Sequence, residues 1–175
     1  MKKHVLWFAA ATIILIIFGT IYSVVQQSQR ADANYPQIQI AEDAAAALNQ
    51  GAKPSILVSG HVSLNDSLAP FLVIYSRSGK IVAGSGYLNG HVPGVPIGIL
   101  SDSNDKPYNA VTWQPQKNVR IAVVTYSANK YYVLSGRSLK YIEANENKSF
   151  ALSYLGGFAS IFVLILAFGI NKKKS

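Results

Sequence analysis

The chain has no cysteine among its 175 residues. No disulfide braces it, no thiolate can serve as nucleophile, and no cysteine can bind a metal. Charge is scarce as well: only 14% of residues are Asp, Glu, Lys or Arg, with eight acids and three histidines in all. Few ingredients remain for a carboxylate dyad or a histidine metal site.

Two stretches lack charge altogether, VLWFAAATIILIIFGTIYSVV at 5–25 and FALSYLGGFASIFVLILAFGI at 150–170. A helix of about 21 residues rises about 31 Å, the depth of a bilayer's hydrocarbon core. Each stretch is therefore expected to be a transmembrane helix. Ala31-Asp32-Ala33 has the small-x-small form of a signal-peptide cleavage site. The first apolar run is longer than a signal h-region and lies well before that tripeptide, which favours a retained span. Lys2 and Lys3 precede the first run, and Lys172, Lys173 and Lys174 follow the second. By the positive-inside rule both ends lie in the cytoplasm and the residues between the spans lie outside a plasma membrane. The expected organisation is a cytoplasmic tail at 1–4, a span at 5–25, an extracytoplasmic domain at 26–149, a span at 150–170 and a tail at 171–175.

The formal charge of +8 invites a nucleic-acid reading, but five of the sixteen basic residues sit in the tails. The outer domain then carries only about +3, and basic residues beside a span are explained by topology and anionic lipid. The bilayer is the expected partner and nucleic acid is not. The sequons Asn65-Asp66-Ser67 and Asn147-Lys148-Ser149 match a motif too short to carry weight alone.

The outer segment is one small domain in length. After a polar stalk, QQSQRADAN, Pro36 opens an expected helix in which Ile40, Ala44 and Leu48 recur at i+4 with Ala41 and Ala45 beside them, and Gly51 closes it. ILV at 56–58 is a candidate short strand. Phe71 to Arg77 and Lys80 to Ser85 read as a hairpin across Ser78-Gly79, Val111 to Trp113 as a strand, and Asn118 to Ser127 with Lys130 to Gly136 as a second hairpin. Ser138 is a candidate N-cap for a helix that continues into the second apolar run. The class is α+β, an antiparallel sheet between two transmembrane helices.

FLVIYSRSGKIVAGSG, then WQPQKNVRIAVVTY followed by YYVLSGRSLKYIE, resemble the hairpins of extracytoplasmic PAS-like or Cache-like sensor domains. The likeness covers roughly Gln37 to Ile142 and implies such a fold and a sensing role, but supplies no ligand motif that maps onto these positions. Receptors of that kind continue inside with a signalling region, whereas this chain stops at NKKKS. The expected role is therefore to bind a small ligand outside and relay it to a membrane-protein partner or a homodimer. A structural accessory subunit without a ligand is the alternative.

Gly84, Gly86 and Gly90 are spaced GxGxxxG, neither a dinucleotide fingerprint nor a P-loop, and Pro93 and Pro96 follow where a phosphate loop needs a helix. His61 and His91 have no third ligand at metal spacing, and Asp102, Asn104 and Asp105 lack the Gly and Glu of an EF-hand loop. No GxSxG, HExxH or SxxK stands in the outer segment, and scattered Ser63, Asp66 and His61 do not make a hydrolase, so no enzyme and no cofactor is expected. The best ligand constellation is Trp113, Arg120, Tyr126, Tyr131, Tyr132 and Arg137, aromatic walls and guanidinium forks suited to a small carboxylate. Strand alternation sets Arg120, Ala122, Val124 and Tyr126 on one face, which leaves ordinary sheet surface as the competing reading. In the spans, Gly19 with Ser23, Ser153 with Gly157, and Gly156 with Ser160 are small-xxx-small pairs. Gly19 and Gly156 are expected at similar depth, where two helices or a partner can meet.

Overall fold

The computed structural model describes residues 2–173, so Met1, Lys174 and Ser175 lie outside the described residues, as do the side chains at 2–4, 29–30, 32–33, 146–147 and 168–173, Lys2, Lys3, Lys172 and Lys173 among them. The elements in order are α1 (Lys2–Asn49), α2 (Pro54–Leu57), β1 (Val62–Ser63), β2 (Phe71–Ser76), β3 (Ile81–Gly84), β4 (Gly86–Tyr87), α3 (Ile97–Ser101), β5 (Asn109–Gln116), β6 (Val119–Ser127), β7 (Tyr131–Ser138) and α4 (Lys140–Lys173). The chain divides into two units, Met1–Arg30 with Glu143–Ser175, and Ala31–Ile142.

In the second unit five strands form an antiparallel sheet ordered β3-β2-β7-β6-β5. The two hairpins read from sequence are both present. The first strand of the sheet, β2, joins the last, β7, with Phe71 opposite Gly136 and Tyr75 opposite Tyr132. That pairing buries all of Phe71 to Tyr75, because a central strand covered on both faces carries apolar side chains at every position.

The two faces have different cover. On one, Ala41, Ala44, Ala45 and Leu48 of α1 pack on Leu72, Ile74, Val124 and Val133. On the other, the segment between β3 and β5 contributes Leu88 and Leu100 to a core with Phe71, Val73, Ile121 and Val123. The alanine stripe and its closing glycine are as the sequence implies. Gly51 has φ 93°, and Ala52 N donates to Ala47 O at 3.0 Å, a glycine-dependent end to the helix.

Three elements differ from expectation. Helix α1 does not start at Pro36; it runs through the stalk with Pro36 inside it. Residues 26–35 hold no glycine and several good helix formers, and burial of the following turns offsets the roughly 3 kcal/mol that an internal proline costs. ILV at 56–58 is not a strand, because Pro54 at the first helical position opens the turn α2. The strand around Trp113 is longer than read, running Asn109–Gln116 with a register shift between Trp113 and Gln116 at Pro115.

In the first unit, Val5–Ser28 of α1 and Lys140–Ala167 of α4 are long and apolar enough to cross a membrane, the latter segment beginning in the second unit. Almost none of either is buried. Phe8, Leu15, Ile16, Phe158 and Phe162 are each more than half exposed, a surface that suits lipid and not water.

Candidate functional site

The six candidate ligand residues divide between the two faces of the sheet. Trp113 stands opposite Ile121, and it and Tyr132 are buried in the core beneath the β3–β5 segment. Arg137 pairs with Ala122, so it shares the opposite, α1-bearing face with Arg120. Tyr126 and Tyr131 pack against the α1-side core. The sheet therefore separates the buried rings of Trp113 and Tyr132 from both guanidiniums. Arg137 Nε donates to Leu68 O at 3.1 Å, and Arg120 is exposed. Tyr126 stacks on Tyr108 with ring centroids 5.8 Å apart, and its phenol is pushed up by burial and by nearby Glu42.

A different arginine is held fast. Arg77, in the turn after β2, donates from Nη1 to Asn104 Oδ1 at 2.8 Å, from Nη2 to Ala128 O at 2.6 Å and from Nε to Asn129 O at 3.4 Å. Its guanidinium carbon lies 4.6 Å from the centre of the Tyr132 ring, a cation–π contact. Asn104 Nδ2 donates to Tyr132 OH at 3.1 Å, and Ser127 Oγ donates to Asn104 Oδ1 at 3.0 Å. The amide of Asn104 and the guanidinium of Arg77 both favour the phenolate and hold the Tyr132 phenol below its usual range. One cluster thus joins the β2–β3 turn, the β6–β7 turn and the 102–108 loop. Its members lie far apart in sequence, in three polar turns, so no local spacing announces it.

The glycine stretch serves packing. A Cβ on Gly86 would lie 2.4 Å from Phe71 Cδ2 and one on Gly84 would lie 2.8 Å from Val92 Cγ1. No long helix follows these glycines, only the five-residue α3 after Pro96. Beneath this segment Tyr75 OH donates to Pro93 O at 3.3 Å, and burial drives the Tyr75 phenol far up. His61 stacks on Tyr87 at 3.9 Å between centroids, while Ser63 Oγ donates to Asp66 Oδ2 at 2.8 Å in a turn where Ser67 N also reaches Ser63 O. Asn89 Nδ2 donates to Gln116 Oε1, and His91 Nδ1 lies 2.9 Å from Asn89 O. Among the described residues no group of three or more His, Asp or Glu could hold a metal ion.

Between the apolar helices Gly156 meets Phe18 and not Gly19: a Cβ on Gly156 would lie 2.5 Å from Phe18 Cε1, whereas one on Gly19 would have nothing within 4 Å. Ser23 Oγ donates to Gly19 O and Ser160 Oγ to Gly156 O, each within its own helix. Gly19, Ser153 and Gly157 line a groove of about 350 Å³ with Phe18, Tyr22 and Phe150.

The fold and these contacts define a class, an α+β domain on a five-stranded antiparallel sheet joined in sequence to two long apolar helices. Compared with protein-family models, curated proteins and solved structures, the chain matches none.

Proposed function

We propose that the 31–142 unit is an extracytoplasmic PAS-like or Cache-like module that binds a small carboxylate-bearing ligand and passes its occupancy to a partner in the plasma membrane, with both chain ends in the cytoplasm. The observation that carries this reading is that the two helices bracketing the sheet are the ones bearing the apolar stretches. Helix α1 packs on the sheet at Ala41 to Leu48 and contains Val5–Ser28, while α4 follows β7 directly, with Leu139 N donating to Arg120 O and Lys140 N to Ser138 Oγ. A change at the sheet has helical routes out of the domain.

The ligand's place is the Arg77 cluster. A guanidinium pinned by carbonyls has already lost its side-chain freedom, and its remaining N–H groups suit a carboxylate. A ligand taking the second hydrogen of Nη1 sits beside Asn104, which accepts the first, and so acts on the 102–108 loop. Binding, not turnover, is the role assigned.

The test is thermal unfolding of the 31–142 segment against small carboxylates, with amines and sugars for contrast. A ligand bound only by the folded state at 100 times its Kd stabilises by about 2.7 kcal/mol. The expected result is a concentration-dependent rise that Arg77→Lys weakens and that Arg120→Ala and Arg137→Ala leave in place. A folded domain whose midpoint no carboxylate moves would favour the structural accessory subunit.

A further inference from the structure

We propose that strand β5 is a self-pairing edge, and that two copies of this chain join there in antiparallel fashion about a two-fold axis through Val111, continuing one sheet into the next.

The sheet has two edges, and they are unlike. Edge strand β3 has four residues, a register shift against β2 and Lys80 immediately before it, while each edge has a short helix near it, α2 at β3 and α3 at β5. Short length, irregularity and a lysine are the devices that blunt an edge. Edge strand β5 has eight residues, and from Asn109 to Trp113 its pairing with β6 is regular. No side chain between Asn109 and Gln116 is charged. Pro115, the one blunting residue, sits at the far end.

The backbone groups that β5 turns outward follow from the hairpin beside it. Ala128 and Tyr131 exchange both backbone bonds, and Leu139 N donates to Arg120 O, so the even-numbered residues of β6 bond to β7. The odd-numbered residues Ile121, Val123 and Thr125 then bond to their partners Trp113, Val111 and Asn109. Ala110 and Thr112 direct their N–H and C=O groups away from the sheet, and both residues are exposed.

That outward row is self-complementary. With the axis at Val111, Ala110 of one copy faces Thr112 of the other and both pairs exchange N–H···O bonds, while the two Val111 residues meet as a non-hydrogen-bonded pair. The side chains of Ala110 and Thr112 are small enough for close approach. Antiparallel pairing also brings the exposed Lys117 end of each strand beside the other copy's 102–106 loop, where exposed Asp102 and Asp105 outnumber exposed Lys106. This pairing does not depend on the ligand proposed above.

The test uses the full chain in nanodiscs and exploits its lack of native cysteine. In a non-hydrogen-bonded pair the Cα atoms stand about 4.5 Å apart, within disulfide reach, whereas residues one position off the axis are separated from their own copies by more than about 7 Å. On mild oxidation Val111→Cys is expected to give covalent dimer at least about five-fold faster than Ala110→Cys or Thr112→Cys. Thr112→Pro removes only an outward N–H, which an edge strand tolerates, and should suppress the Val111→Cys dimer while leaving thermal unfolding of the monomer in place. Equal cross-linking at all three positions, faster cross-linking at a neighbour than at Val111, or a dimer that survives Thr112→Pro would overturn the proposal. If Thr112→Pro does not fold, the order of the three cysteine variants decides alone.

Discussion

Phe71 shows how much of this domain hangs on atoms that are missing. Its ring lies over Gly136, its cross-strand partner, and over Gly86, and a Cβ on either glycine would come within 2.4 Å of the ring. The ring is a fixed part of the core, so neither glycine can gain a methyl group without the aromatic moving. Gly136→Ala is expected to destabilise the 31–142 segment by about 1–3 kcal/mol, the usual cost of overpacking. Phe71→Ala should cost about 3–5 kcal/mol alone. Because both changes act on the same space, the double variant should lose clearly less than the sum of the singles, as residues in contact do. Urea unfolding of the four proteins measures this, and strict additivity would show that the ring and the glycine do not share that space. The spacing of Gly84, Gly86 and Gly90 excludes a phosphate loop but gives no reason for the glycines themselves. At Gly86 the reason is close approach, which becomes visible only when Phe71 is brought across from another strand.

At the scale of the element, α1 lays a nearly featureless stripe on the sheet. Ala41, Ala44 and Ala45 are small, so they fix where the helix lies only weakly, and polar contacts supplement them: Asn129 N donates to Asn49 Oδ1 at 2.8 Å at the helix end, and a fully buried pair lies near Pro36. Gln37 and Ser135 are fully buried, and Ser135 Oγ donates to Gln37 Oε1 at 2.9 Å. The other half of the amide is not satisfied: Gln37 Nε2 has no hydrogen-bond partner among the described residues. An unpaired buried donor costs about 1–3 kcal/mol, so this contact sets the register of the helix at a cost in stability. Ser135→Ala alone strips Oε1 as well and should destabilise by about 1–3 kcal/mol. Gln37→Met with Ser135→Ala removes both polar groups at similar volume and should match or exceed the natural domain. Chemical unfolding decides between them, and a double variant much weaker than Ser135→Ala would contradict the account. The apolar stripe, the closing Gly51 and both hairpins were legible because periodicity and turn chemistry are local. The helix through Pro36 was not, since the burial that offsets the proline comes from the sheet. The sorting of Trp113, Arg120, Tyr126, Tyr131, Tyr132 and Arg137 onto opposite faces was half legible. Alternation within β6 put Arg120 with Tyr126, but the faces of β5 and β7 depend on a register that only the pairing supplies.

For the molecule as a whole, the two apolar runs were the plainest signal in the sequence, and the exposure of Val5–Ser28 and Lys140–Ala167 supports reading them as spans. The Arg77 cluster was illegible for the opposite reason, being assembled from three turns that share no pattern. The sidedness of the domain rests on an asymmetry of lysines alone: Lys2 and Lys3 before the first span, and Lys172 to Lys174 after the second. Moving such residues to the outer face opposes the charge bias that orients short loops during insertion, so both ends are expected inside. The absence of cysteine makes this directly measurable. Lys130→Cys places a thiol in the exposed turn between β6 and β7. It should react with a membrane-impermeant maleimide on intact cells, while Lys3→Cys and Lys173→Cys should react only after permeabilisation. Labelling of all three on intact cells would mean a chain that does not hold its spans in the membrane. Labelling of Lys3→Cys and Lys173→Cys without Lys130→Cys would put the domain in the cytoplasm and move the search for a carboxylate ligand to metabolites inside the cell.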